Sequence, residues 1–111
     1  MNPDISIIIP LYNEVDNIEL LGYSIINAMQ GQNYEVVFVD DGSTDGSTQK
    51  LREWCTQHTN FRTIHFRKNA GQTAAMDAGF RHARGKYVVS MDADMQNDPA
   101  DIPKLLEKLN T

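Results

Sequence analysis

Two aspartates stand two residues apart in Asp92-Ala93-Asp94, directly after the apolar run Tyr87 to Met91. Carboxylates at that spacing, placed at a strand end, approach one cation together. Mg2+ and Mn2+ prefer such hard oxygen ligands and usually complete their shell with phosphate oxygens. Turn and cap chemistry accounts for the same residues too, and a D-x-D string is weak alone in a chain with ten aspartates. A second acidic cluster, Asp40-Asp41-Gly42-Ser43, ends a β-branched run. These are the residues of a tight strand-to-helix turn, and an aspartate there also accepts a hydrogen bond from a base N–H or a ribose hydroxyl. Tyr12 either stacks on a base or packs, and Glu14 either binds a ligand or precedes a helix. Arg67-Lys68-Asn69-Ala70-Gly71-Gln72 sets two cations ahead of a helix start, an arrangement that suits a phosphate or simply a solvated loop. His58, His65 and His82 are scattered without a ligand pattern, and Cys55 beside Trp54 reads as a packed thiol. Neither G-x-G-x-x-G nor G-x-x-x-x-G-K-[ST] occurs, so dinucleotide and P-loop chemistry lose support.

The elements that must position these residues alternate along the chain. Ser6 to Pro10 is an isoleucine-rich run that reads as a buried strand. Asp16 to Met29 carries Ile18, Leu21, Ile25 and Met29 at helical spacing, with Asp16 and Glu19 as an expected capping box and Gly31 at the end. Glu35 to Val39 is a second strand, and Thr48 to His58 is a helix with Leu51, Trp54, Cys55 and His58 on one face. Phe61 to Phe66 is a third strand, Gln72 to Arg84 an alanine-rich helix closed by Gly85, and Tyr87 to Met91 a fourth strand. Asp98-Pro99 opens a last helix, with proline at its first position. The order βαβαβαβα with continuously apolar strands predicts an α/β fold with a parallel sheet covered on both faces. Right-handed crossovers and the doubly wound pattern predict strand order 3-2-1-4. The ligand crevice then lies beyond the carboxyl ends of strands 1 and 4, with the end of strand 2 beside them.

Composition bounds the remaining classes. A chain of 111 residues holds at most one domain. Its 41% hydrophobic and 23% charged residues suit a soluble globular domain rather than a disordered one. The longest apolar run, Ile7 to Tyr12, is far short of the roughly 20 residues of a membrane span. No signal peptide is expected, and the single cysteine fits a reducing, cytosolic setting. A net charge of −5 argues against nucleic acid as a partner. The charge is uneven: six basic residues and only one acid lie between Arg62 and Lys86, leaving the remainder strongly acidic.

Four stretches in order, Ile8 to Glu14, Val39 to Asp45, Lys68 to Gly71 and Met91 to Gln96, together resemble the inverting family-2 glycosyltransferases of GT-A fold. The likeness runs along nearly the whole chain. Asp92 to Pro99 looks most like the branch that moves sugars onto polyprenyl phosphates, such as dolichol-phosphate mannose synthase and its bacterial relatives. The resemblance implies a nucleotide-diphosphosugar donor, a polyprenyl-phosphate acceptor and Mg2+ or Mn2+. It assigns Pro10, Tyr12, Glu14 and Asp40, with Asp41, to base and ribose. Lys68 and Gly71 fall in the phosphate-side loop, Asp92 near ribose and diphosphate, and Asp94 and Gln96 on the metal, so that Asp92 and Asp94 carry the catalytic role. It further implies that the 111 residues are the nucleotide-binding half of a longer enzyme working at the cytoplasmic face of a membrane. Turnover by this half alone is not expected, and its strand 4 edge is expected to support self-association. Two rivals share the sheet: a stand-alone nucleotide-binding or interaction module, and a metal-dependent phosphotransferase, which gives the Pro10-to-Glu14 motif no role.

Overall fold

The computed structural model describes residues 2–93. Seven elements follow one another: β1 (Ile5–Leu11), α1 (Ile18–Ala28), β2 (Tyr34–Asp40), α2 (Ser47–Gln57), β3 (Phe61–His65), α3 (Gln72–His82) and β4 (Tyr87–Ser90). All strand pairs are parallel, in the order β3-β2-β1-β4. The expected α/β class, strand order and element sequence are therefore present. The expected helix after Asp98-Pro99 lies outside the described residues.

Every residue of β1 is buried, because this central strand is covered on both faces. Alternation divides its side chains. Ile5, Ile7, Ile9 and Leu11 join Val36 and Phe38 of β2 beneath α1 and α2, which contribute Ile18, Leu21, Ile25, Leu51 and Trp54. Ile8 turns the other way, with Val37 and Val39, to meet Ala75 of α3. The small residues of α3 bring it close to the sheet. A Cβ at Gly79 would stand 2.2 Å from Ile8 Cγ2, so only glycine allows this approach. That contact fixes the height of α3, and hence of the loop that enters it.

Two local expectations are corrected. The Asp16/Glu19 capping box does not form: α1 begins at Ile18, its N-cap is Asn17, and no side chain caps it. Upstream of the helix, Val15 N–H donates to Asp45 Oδ2 at 3.2 Å and Glu14 N–H to Ser47 Oγ at 3.1 Å, so the loop after β2 holds the entry to α1. Gly85 does not close α3, which ends at His82 with Ala83 already extended. Its amide donates to Ser6 Oγ at 2.8 Å where the α3–β4 turn crosses β1.

A buried carboxylate pins the opposite end of the sheet. Glu35 accepts from Ser6 Oγ at 2.6 Å, Arg84 N–H at 2.8 Å and both Nε and Nη2 of Arg62 at 3.0 and 2.9 Å. Burial alone would raise its pKa, but these donors outweigh burial and hold it below its ordinary value.

Candidate nucleotide-binding site

Parallel strands joined by right-handed crossovers put all their C-terminal loops at one end. Here β2 and β4 leave β1 on opposite sides, and the loops part between them. The resulting cavity holds about 450 Å³. Pro10, Leu11, Tyr12 and Glu14 line it from β1, Asp41 from β2, and Asp92 and Ala93 from β4. Asn69, Gly71, Gln72 and Ala75 close the α3 side. Five of the expected nucleotide-site residues plus Asp92 thus meet at one opening. Lys68 is exposed and outside this lining. Asp94 and Gln96 lie outside the described residues.

The two aspartates after Val39 face opposite ways. Asp40 is fully buried and absent from the cavity wall. Its Oδ1 accepts from Ser43 N–H at 3.0 Å, while Oδ2 accepts from the Thr48 hydroxyl and lies 3.0 Å from His65 Nδ1. Burial pushes its pKa up, but the hydrogen bonds from Ser43, Thr48 and His65 more than offset this and lower it, so the carboxylate is charged. Asp41 points to the cavity side. Its Oδ1 and Oδ2 accept from Ala70 N–H at 2.6 Å and Gly71 N–H at 3.0 Å, and Asn69 Nδ2 donates to its carbonyl at 3.2 Å. Gly42 completes the junction. It has φ 73°, and a Cβ there would lie 2.6 Å from both Asn69 N and Lys68 C, so glycine is required on two counts.

The loop after β1 is held with equal care. Asn13 has φ 54°, an uncommon left-handed conformation for a non-glycine residue. Its side-chain oxygen accepts from Thr44 N–H at 2.7 Å, and its own amide donates to Ser43 Oγ at 2.9 Å. Glu14 Oε2 accepts from Asn17 Nδ2 at 2.7 Å. The Ser43-to-Ser47 stretch therefore serves as a last that shapes the Tyr12–Glu14 wall. Tyr12, 44% exposed, presents its ring at the opening.

On the β4 side, Asp92 Oδ1 accepts from Gln72 Nε2 at 3.3 Å. Among the described residues no three His, Cys, Asp or Glu side chains converge as a metal cluster. The ionisable residues lining the cavity are Tyr12, Glu14, Asp41 and Asp92, with no His or Cys. That all-oxygen donor set fits Mg2+ or Mn2+ rather than a softer ion. Because Asp41 already caps two amides, Asp92 is the described carboxylate best able to meet a cation. Cys55 is half-buried, and burial pushes its thiol up to about 11, which leaves it unreactive.

Sequence reasoning did not single out Asn13, Asn69 or Gln72, and it treated His65 as one of three scattered histidines. Nothing local marks His65. Its role follows from lying opposite Asp40 in the β2–β3 register.

The family profile described as Glycosyl transferase family 2 matches residues 6–111. An undecaprenyl-phosphate 4-deoxy-4-formamido-L-arabinose transferase of Edwardsiella ictaluri is 44% identical over 93% of the chain and 33% of its own length. A dolichol-phosphate mannosyltransferase of Pyrococcus furiosus is 44% identical over 95% of the chain and 30% of its own length. The chain thus spans about a third of the length of these relatives. Among solved structures, a mannosyltransferase of Pyrobaculum calidifontis in complex with GDP-Man and Mn2+ superposes with a TM-score of 0.77 at 31% identity, covering 91% of the chain and 30% of that protein. TarS of S. aureus in complex with UDP-GlcNAc gives 0.78 at 26% identity, covering 99% and 31%. A buried parallel sheet opening at its switch point, the sequence motifs around that opening and these likenesses agree: the chain belongs to glycosyl transferase family 2.

Proposed function

We propose that this chain binds the nucleoside diphosphate of a sugar donor and, within a whole enzyme, serves metal-assisted, inverting transfer of the sugar to a polyprenyl phosphate. The observation that carries this reading is the convergence of Tyr12, Glu14, Asp41, Gly71 and Asp92 on one cavity in a chain whose relatives include polyprenyl-phosphate sugar transferases. Pro10, Tyr12, Glu14 and Asp41 hold base and ribose, with the exposed Tyr12 ring offering a stacking face. Asp40 supports Asp41 from behind, since its own oxygens are taken up by Ser43 in the turn, Thr48 of α2 and His65 of β3. Gly71 and the exposed Lys68 stand on the phosphate side. Asp92 meets ribose and diphosphate, and Asp94 and Gln96 would hold Mg2+ or Mn2+, an assignment that rests on the motif. Bound there, the cation supplies neutralisation of charge on the departing nucleoside diphosphate.

A polyprenyl phosphate is already an anionic nucleophile, so the described residues need no general base for it. Attack by a phosphate oxygen opposite the leaving diphosphate inverts the anomeric configuration. No helix among the described residues is long and apolar enough to cross a membrane. A lipid-linked acceptor nevertheless places the reaction at a membrane face, the cytoplasmic one in this proposal.

Calorimetric titration with GDP and UDP, with and without Mn2+, tests the donor half of the reading. One of them is expected to bind, more tightly with the metal. Incubation of the full-length protein with donor and polyprenyl phosphate tests the acceptor half. Sugar lipid formed with retained configuration, or no binding of either diphosphate, contradicts the proposal.

A further inference from the structure

We infer that Gln72 is a positioning residue, which orients Asp92 and ties it through the loop entering α3 to Asp41. This rests on the reading of the cavity as a donor site.

Gln72 is the first residue of α3 and contributes nothing to its packing, for the buried residues of that helix are Ala75 and Gly79. Its side chain crosses the opening instead, and Nε2 donates to Asp92 Oδ1, 20 residues away in sequence, at 3.3 Å. The backbone beneath it is fixed from two directions. On one side Asp41 receives the amides of Ala70 and Gly71, and Gly42 abuts Lys68 and Asn69. Along the helix, the Gly79–Ile8 approach prevents α3 from sliding. The result is a hydrogen-bonded arc running Asp41, Ala70 and Gly71, Gln72, Asp92. It spans β1 and links the ends of its two neighbours, β2 and β4.

An amide suits this place for a chemical reason. It engages one oxygen of Asp92, leaves the carboxylate its negative charge and leaves Oδ2 for a ligand. A lysine would cancel that charge, and a glutamate would repel it. Gln72 therefore sets the direction of the Asp92 carboxylate without altering what it can bind.

The test is a double-substitution cycle on the 111-residue chain, read by titration with Mn2+ plus GDP or UDP. Gln72→Ala is expected to weaken binding roughly 3- to 10-fold, the net value of one ordinary hydrogen bond, as suits a contact at the solvent-facing mouth, with an unchanged melting temperature. In an Asp92→Ala background the same change is expected to cost less than about 2-fold, because the partner is gone. An equal loss in both backgrounds means that Gln72 touches the ligand directly and overturns the inference. A second measurement needs no ligand: Asp92→Ala is expected to shift the side-chain amide resonances of Gln72, and resonances that stay in place overturn it too. Binding by the unsubstituted chain that Gln72→Ala leaves unchanged sinks this inference alone, whereas no binding by the unsubstituted chain sinks the donor-site reading and this inference together.

Discussion

Replacing Asp40 with Asn separates the two neighbouring aspartates by their roles. The substitution keeps the volume and one carbonyl oxygen, which still accepts from Ser43 N–H. It removes the charge and turns the second oxygen into a donor, facing the Thr48 hydroxyl and His65 Nδ1. The hydroxyl and the imidazole tautomer can reorient to accept, which recovers part of the loss. A hydrogen bond to a charged group contributes roughly 1.5–3 kcal/mol, and two are degraded here, so the net cost is about 2–4 kcal/mol of stability. For a domain near this size that lowers the melting temperature by about 10–20 °C. Nucleoside diphosphate affinity, measured well below the new midpoint, is expected to stay within about 3-fold, because Asp40 does not reach the cavity. Asp41→Asn is expected to lower both quantities, because one of its oxygens becomes a donor facing the Ala70 or Gly71 amide at the cavity wall, with donor affinity falling at least about tenfold. Thermal melting by circular dichroism and calorimetric titration of both variants read the two quantities separately. If Asp40→Asn melts with the unsubstituted chain while losing tenfold in affinity, the burial argument is refuted and this carboxylate faces the ligand.

Metal and nucleotide should bind with reciprocal coupling, each raising the affinity of the other by one factor. Asp94→Ala is expected to abolish that factor, and Gln96→Ala to reduce it less, because water can replace a neutral amide ligand; unchanged coupling in Asp94→Ala would falsify the metal assignment. Acid should destabilise the fold through Asp40 and Glu35, whose pKa values lie below the ordinary 3.8 and 4.5. Their contribution is present above those ordinary values and is lost as pH falls through the lowered ones, so melting scans should drop most steeply below about pH 4 and flatten in the Asp40→Asn, Glu35→Gln pair. At β4, Val88 is 39% exposed and β1 is the sole strand partner among the described residues. Self-association through that edge is expected at high concentration, and Val88→Lys should oppose it; sedimentation as a clean monomer throughout contradicts the edge argument.

What the sequence determined by itself is the architecture and the place of the site. Apolar runs such as Ile5 to Leu11, helical spacing such as Ile18, Leu21 and Ile25, and turn residues such as Asp41 to Gly46 are local signals. The handedness of crossovers then converts their order into a sheet with one switch point. Which loops share that opening followed without any contact being known, although Asp40 and Lys68, expected there too, lie outside its lining. Only the tertiary structure decided what each side chain does there. Asp40 and Asp41 are adjacent and chemically identical, but successive side chains along a strand point to opposite faces. The pairing of β2 with β3 brings Asp40 against His65 on the α2 side, and Asp41 is left to take up the loop before α3. The entry to α1 is also set from a distance: Asp45 and Ser47 accept from Val15 and Glu14, 30 and 33 residues away. The Gln72–Asp92 contact likewise depends on two elements being packed at a fixed height. Hydrogen-bond partners distant in sequence are chosen by packing, and local pattern carries no record of them.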